Sequence, residues 1–214
     1  ELTNVYRQSD RKFIDILNNL RNNYLSETDL AILNELVDPT FDLKKNPGYI
    51  TLTTHNHKAD QLNGASLREL PGEEYSYDAE IIGEFPDKIY PVDSTLRLKA
   101  GAQIMFIKND QSFDKSYYNG KIGIVRRLSQ SEIEIEFNDS GKTISVLPYE
   151  WTNIKYTVNP DTKEIEEELL GTFTHYPIKL AWAITVHKSQ GLTFDKAALD
   201  VTDVFMPGQA YVAL

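Results

Sequence analysis

Hydrophobic positions recur at helical spacing in the first part of the chain. Apolar side chains over residues 10–22 fall on one face of a helix, which predicts an amphipathic helix with a polar N-cap at its start. Two further helices are predicted over 28–37 and 56–67, and a β-branched run over 49–54 predicts a strand before the second of these. Helices mixed with an apolar strand indicate an α/β domain.

The pattern changes near residue 96 to short apolar strands separated by turns at Asn119-Gly120 and Asp139-Ser140-Gly141. The predicted strands are 103–107, 121–127, 132–137, 143–147 and 150–158. Short strands at regular spacing with turn residues between them favour a small β-barrel. We therefore predict an α/β domain made of residues 1–95 and 174–214, interrupted by a barrel over 96–173.

The stretch 176–200 carries an apolar run that leads into a polar cluster at 187–191. We expect a helix that ends at a Gly191 turn, followed by a buried strand over 197–201. Ligands of open α/β sheets usually bind outside the carboxyl ends of the strands, so the polar cluster is a candidate site. A solvated helix end closed by a glycine cap would look the same, and both interpretations stay open.

Composition narrows the possible functions. The net charge is −10, which argues against tight autonomous binding to nucleic acid but leaves room for a locally basic groove. No apolar run approaches the ~18 residues of a membrane span, so we expect no membrane contact. The sequence has no cysteine, which excludes disulfides and fits a cytoplasmic protein. The chain starts at Glu1 and ends abruptly at Leu214, as expected of a piece of a longer protein.

Two patterns resemble ligand motifs and are rejected. His55 and His57 lack a cysteine or an obvious third ligand nearby, so no metal site is predicted. Gly141-Lys142-Thr143 matches the end of a phosphate-binding loop, but Glu136 stands where the first glycine belongs. We predict a β-turn there. The sequence holds no other such loop, and we expect no ATP turnover from this chain alone.

Four ordered blocks resemble superfamily 1 DNA helicases of the Pif/RecD type. Residues 187–195 are similar to the fifth motif of these helicases, and 5–8 with the helix that follows are similar to their Val-Tyr-Arg-Gln block. Residues 101–103 and 119–125 resemble the start of their SH3-like insertion, and 207–214 the start of their sixth motif. The resemblance implies the second RecA-like domain, a P-loop NTPase-type parallel sheet, with an inserted SH3-like β-barrel.

The resemblance also implies roles for individual residues. Arg7 would be catalytic, reaching across an interdomain cleft to the γ-phosphate of ATP, where a planar guanidinium binds two oxygens at once. Gln190 and Gly191 would join Arg7 in binding the nucleotide. The implied DNA contacts are Thr54, His55, Asn56, His187, Lys188 and Ser189.

Cofactors and partners follow from the same resemblance. ATP and Mg²⁺ would bind the full-length parent and not this chain alone. The partners would be single-stranded DNA and a preceding RecA-like domain of the same protein, which we expect to be a monomer. Two other classes stay open: a non-enzymatic module that binds nucleic acid or protein, and the motor half of a nuclease- or relaxase-helicase.

Overall fold

The computed structural model describes residues 10–159, 163–192, 194, 196–204 and 208–213. The chain forms two compact units. The described residues up to Leu62, together with those from Trp182 onward, make the first unit, and Asn63–Ala181 make the second. The domain boundaries expected from the sequence, 95/96 and 173/174, stay a prediction.

Most strands of the described chain follow one another between the third and the fourth α-helix. The helices are α1 (Arg11–Arg21), α2 (Glu27–Glu35), α3 (Asn56–Glu69), α4 (Val186–Ser189) and α5 (Gln209–Ala213). The strands are β1 (Ile50–Thr53), β2 (Tyr75–Asp78), β3 (Glu80–Gly83), β4 (Thr95–Leu98), β5 (Gln103–Phe106), β6 (Ile122–Leu128), β7 (Ile133–Glu136), β8 (Thr143–Val146), β9 (Tyr149–Val158), β10 (Ile165–His175), β11 (Ile178–Leu180), β12 (Ala183–Thr185) and β13 (Ala197–Asp200). Within the described part of the chain, no helix is long and apolar enough to cross a bilayer.

A three-stranded parallel sheet in the order β12-β1-β13 forms the centre of the first unit. Ile50 and Leu52 of β1 are buried, as are Ala183 and Ile184 of β12. Thr53 of β1 is buried as well, as expected of a central strand in a parallel sheet whose two faces are covered. The parallel sheet confirms the predicted α/β class for this part of the chain.

Side-chain caps fix where the first two helices begin. Asp10 accepts hydrogen bonds from the backbone of Lys12 and Phe13, at 2.9 and 3.3 Å. Ser26 and Asp29 form a capping box at the start of α2. The helices predicted at 10–22, 28–37 and 56–67 are therefore confirmed, with ends that shift by one or two residues.

The predicted helix leading to Gly191 is wrong over most of its length. Residues 178–180 form a strand beside β5 in the second unit, and 183–185 form a strand beside β1 in the first. Only Val186–Ser189 is helical. A short apolar run has the same composition in a buried strand as in a buried helix, so the sequence alone could not separate the two. Strand 197–200 is confirmed, but among the described residues it pairs only with β1, and it is only partly buried.

The second unit is built mainly from antiparallel strands. Five of them form a sheet in the order β11-β5-β6-β7-β8, and three others form a sheet in the order β3-β10-β9. Among the described residues no pairing closes the first sheet into a barrel, and the predicted strand at 150–158 belongs to the other sheet. The predicted turn at 141–143 is confirmed, because β7 and β8 are an antiparallel hairpin with Glu136 opposite Thr143.

The core of the second unit is formed by buried residues of its strands, and all four residues of β5 are buried. Its fully buried side chains include Leu98, Ile104, Met105, Phe106, Val125, Ile133, Ile135, Phe137 and Phe173. Gly123 on β6 lies against this core, where a Cβ atom would overlap the side chain of Ile135. Glycine is required there by the close approach of β7, which the sequence pattern did not reveal.

A buried histidine makes the stability of the second unit depend on pH. His175 is buried, and its Nε2 has no hydrogen-bond partner. Burial lowers the pKa of His175, while Asp78 acts in the opposite direction. The unfolded chain, with a histidine pKa near ~6.5, then binds the proton more readily, so stability should be lost as pH falls below that value.

We expect His175→Gln to lose part of this pH dependence. Urea unfolding at pH 7.5 and 5.5 measures it, with His57→Gln as a control that removes an exposed histidine. An equal loss of stability between these pH values in wild type and His175→Gln would contradict the assignment.

Candidate functional site

The carboxyl ends of two parallel strands bring distant segments together in the first unit. Thr53 at the end of β1 lies opposite Thr185 at the end of β12. Helix α3 begins at Asn56 and helix α4 at Val186, directly after their strands. Residues near 54–56 and 185–188 therefore become neighbours, although about 130 residues separate them in the sequence.

These segments enclose an open pocket of about 300 Å³. It is lined by Thr54, His55, Asn56, Thr185, His187 and Lys188. Thr54 and Thr185 are buried, whereas Asn56, His187 and Lys188 are exposed. Buried hydroxyl-bearing residues and exposed amide, imidazole and ammonium groups thus line the same pocket.

Thr54 is held in place from two sides. Its Oγ1 shares a hydrogen bond of 2.7 Å with Nδ1 of His55. Its carbonyl oxygen accepts a 3.4 Å hydrogen bond from Nε2 of Gln209, the buried first residue of α5. These contacts fix the turn from β1 into α3.

The pocket is suited to an anion. The six lining residues include no carboxylate, and Lys188 adds a positive charge. The pocket also includes the first residue of α3, where backbone N–H groups lack an acceptor within the helix and the helix dipole favours negative charge. Threonine, asparagine and lysine side chains are common donors to nucleic-acid phosphates.

A lysine on the first turn of α3 forms an ion-pair cluster that the sequence did not indicate. Lys58 Nζ lies 2.5 Å from Oδ2 of Asp203 and 3.6 Å from Oδ2 of Asp200. The hydrogen bond to Asp203 raises the pKa of Lys58, and the same bond lowers the pKa of Asp203. The pKa of Asp200 is lowered first by a hydrogen bond from Thr202 and then by Lys58.

The structure brings together five of the residues expected to contact DNA and sets the sixth apart. Ser189 is buried, and its hydroxyl donates to the carbonyl oxygen of Val186 at 2.8 Å. Gln190 and Gly191 follow α4 on the surface, and Gly191 has a φ of +82°. Arg7 lies outside the described residues. The roles assigned to these residues stay predictions.

Sequence reasoning missed Thr185 and the contact of Gln209 with Thr54. Thr185 was hidden by the wrong helix assignment, although the β-branched run Ile184-Thr185-Val186 favours a strand. Gln209 is the first residue of α5, and its contact with Thr54 joins positions that are far apart in the sequence. In the described part of the chain, no group of three or more His, Cys, Asp or Glu residues is placed to hold a metal ion.

A parallel α/β sheet with a polar, carboxylate-free pocket at the carboxyl ends of its strands has the arrangement in which open α/β proteins usually bind their ligands. No protein-family model matches the chain. It is 31% identical over 222 residues to the ATP-dependent DNA helicase PIF1 of Xenopus laevis, across 100% of this chain and 33% of that protein.

Solved structures of Pif1 proteins are also similar to this chain. A crystal structure of Bacteroides sp Pif1 in complex with ADP-AlF4 matches 99% of this chain and 48% of its own, with a TM-score of 0.86 and 40% identity. A structure of Bacteroides Pif1 bound to ssDNA matches 100% of this chain and 48% of its own, with a TM-score of 0.72 and 40% identity. The whole chain is similar to Pif1-type DNA helicases, and it spans about a third to a half of the relatives that it matches.

The positive φ of Gly191 predicts a cost for any side chain there. We expect Gly191→Ala to lower the free energy of unfolding by about 1 kcal/mol, because L-residues disfavour this backbone region. Urea unfolding measures the change. Gly64→Ala is the matched control, since Gly64 lies inside α3, where a Cβ meets only the end of Arg68, and alanine there should be neutral or stabilising. A neutral Gly191→Ala would contradict the prediction.

Proposed function

We propose that this chain is part of an ATP-dependent Pif-type helicase. It would bind the sugar-phosphate backbone of single-stranded DNA, and it would form one side of the cleft that closes when ATP binds. In this proposal the pocket at the carboxyl ends of β1 and β12 binds phosphates of the DNA strand. The parent protein would use ATP hydrolysis to move along that strand and separate duplexes. The observation that carries the proposal is the convergence of Thr54, His55, Asn56, His187 and Lys188 on one pocket.

The chemistry of the pocket supports backbone recognition rather than base recognition. Its donors and its lysine match the needs of a phosphate oxygen, and its lining includes no Phe, Tyr or Trp on which a base could stack. Phosphate contacts carry no sequence information, as a motor that moves along any strand requires. A relative was solved bound to ssDNA, which agrees with this ligand.

The ATP side of the proposal concerns other residues. Arg7 would stabilise charge on the γ-phosphate, and Gln190 and Gly191 would approach the nucleotide from the surface that follows α4. A Cβ added at Gly191 would meet nothing within 4 Å, so an incoming phosphate would find the backbone N–H accessible. ATP and Mg²⁺ would be held mainly by a preceding RecA-like domain of the parent. The relative solved with ADP-AlF4 supports a nucleotide in that protein.

The domain organisation, location and oligomeric state of the parent protein are also part of the proposal. Residues 1–95 and 174–214 would form the second RecA-like domain, and 96–173 an SH3-like insertion whose described sheet is open. The parent would be a cytoplasmic monomer. The net charge of −10 supports weak binding of DNA by this chain on its own.

Lys188→Gln tests the phosphate contact. In the whole protein that carries this chain, we expect weaker binding of an oligo-dT strand, and a plot of log affinity against log salt that is shallower by about one unit. Fluorescence anisotropy across a salt series measures both.

Lys45→Gln is the matched control, because Lys45 is an exposed lysine of the first unit that does not line the pocket. Equal effects of the two variants would show that net charge alone is responsible and would contradict the proposed site.

A further inference from the structure

The ion-pair cluster of Lys58 lies beside the proposed phosphate site but is not part of its lining. Lys58 is two residues beyond Asn56, on the same first turn of α3. Its ammonium group contacts Asp203 at 2.5 Å, Asp200 at 3.6 Å and the hydroxyl of Thr202 at 3.4 Å. All three partners follow or end β13, at the same edge of the sheet as the pocket.

Such a lysine would ordinarily add to an anion site. A positive charge on the first turn of a helix, next to a pocket lined by donors, is attracted to a phosphate in that pocket. Here two carboxylates neutralise the charge, and only a quarter of the Lys58 side chain is exposed. Asp203 also interacts electrostatically with His55, which lines the pocket. The loop after β13 therefore acts on the lysine and on the pocket.

We propose that Asp203, assisted by Asp200, holds Lys58 away from the phosphate site and so limits how tightly the pocket binds the nucleic-acid backbone. Asp203 is the positioning residue in this arrangement, because it acts on the site through Lys58, and the loop after β13 sets the strength of the site. A motor that steps along a strand must release each phosphate, and a lysine held back from the site keeps that release fast. The role of Lys58 rests on the proposed function, since the ligand of the pocket is the proposed one.

Asp203→Asn in the whole protein tests this role. We expect an oligo-dT strand to bind about threefold to tenfold more tightly at low salt, with a slope of log affinity against log salt steeper by about one unit, because the freed Lys58 neutralises one more phosphate. Asp200→Asn, which weakens the longer ion pair, should give a smaller change in the same direction. This second variant keeps the test valid should Asp203→Asn fail to fold.

Three further variants separate release of Lys58 from a general loss of negative charge and from a purely structural effect. Asp60→Asn removes one exposed carboxylate from the same helix and should leave the salt slope unchanged. In a Lys58→Gln background, Asp203→Asn should bring no steeper slope, because no lysine is left to release. Lys58→Arg keeps the charge and should keep wild-type affinity. If Lys58 had only a structural role, Asp203→Asn would change the melting temperature without changing the salt slope.

The outcomes distinguish this inference from the function on which it rests. If Lys188→Gln weakens binding but Asp203→Asn behaves like Asp60→Asn, the proposal that Asp203 restrains Lys58 is wrong, while the proposed phosphate site is supported. A gain in affinity that persists in the Lys58→Gln background also overturns it. If Lys188→Gln has no effect, the proposed phosphate site itself fails.

Discussion

The parallel pairing of β1 with β12 is the constraint on which the site depends. Residues 51–53 pair in register with 183–185, so both strands end at the same edge of the sheet. Parallel strands need a long connection between them, and here it includes the whole second unit. A slip of one residue would turn Thr185 to the other face of the sheet and separate the two halves of the pocket.

The distribution of charge is compatible with the anionic ligand that is proposed for this acidic chain. The chain has a net charge of −10, yet none of the six residues lining the pocket is acidic. Part of the acid lies far from that pocket in sequence, on the hairpin of β9 and β10 at Glu164 and Glu166–Glu168. Two further carboxylates, Asp200 and Asp203, are paired with Lys58. In the proposed function, the local arrangement of charge matters more than the total charge for the ligand of this edge.

The first three helices, the first strand and the strands over 103–158 could be predicted from the sequence because caps, turns and periodicity are local signals. Asp10, Ser26 and the turn at 141–143 are examples. The strand at 183–185 could not be predicted in this way, since a strand of three residues is defined by the strand with which it pairs and not by its own pattern. The same reason explains the missed contacts of Lys58 with Asp203 and of Gln209 with Thr54. Each depends on residues more than a hundred positions away, which only the folded sheet brings together.

The most direct measurement of the central claim is photo-cross-linking. A single strand that carries 4-thiothymidine would be irradiated in complex with the whole protein, and the cross-linked peptides identified by mass spectrometry. The account predicts cross-links in the first unit on the peptides that contain His55 and His187. Cross-links confined to residues 63–181, with none on those two peptides, would contradict it.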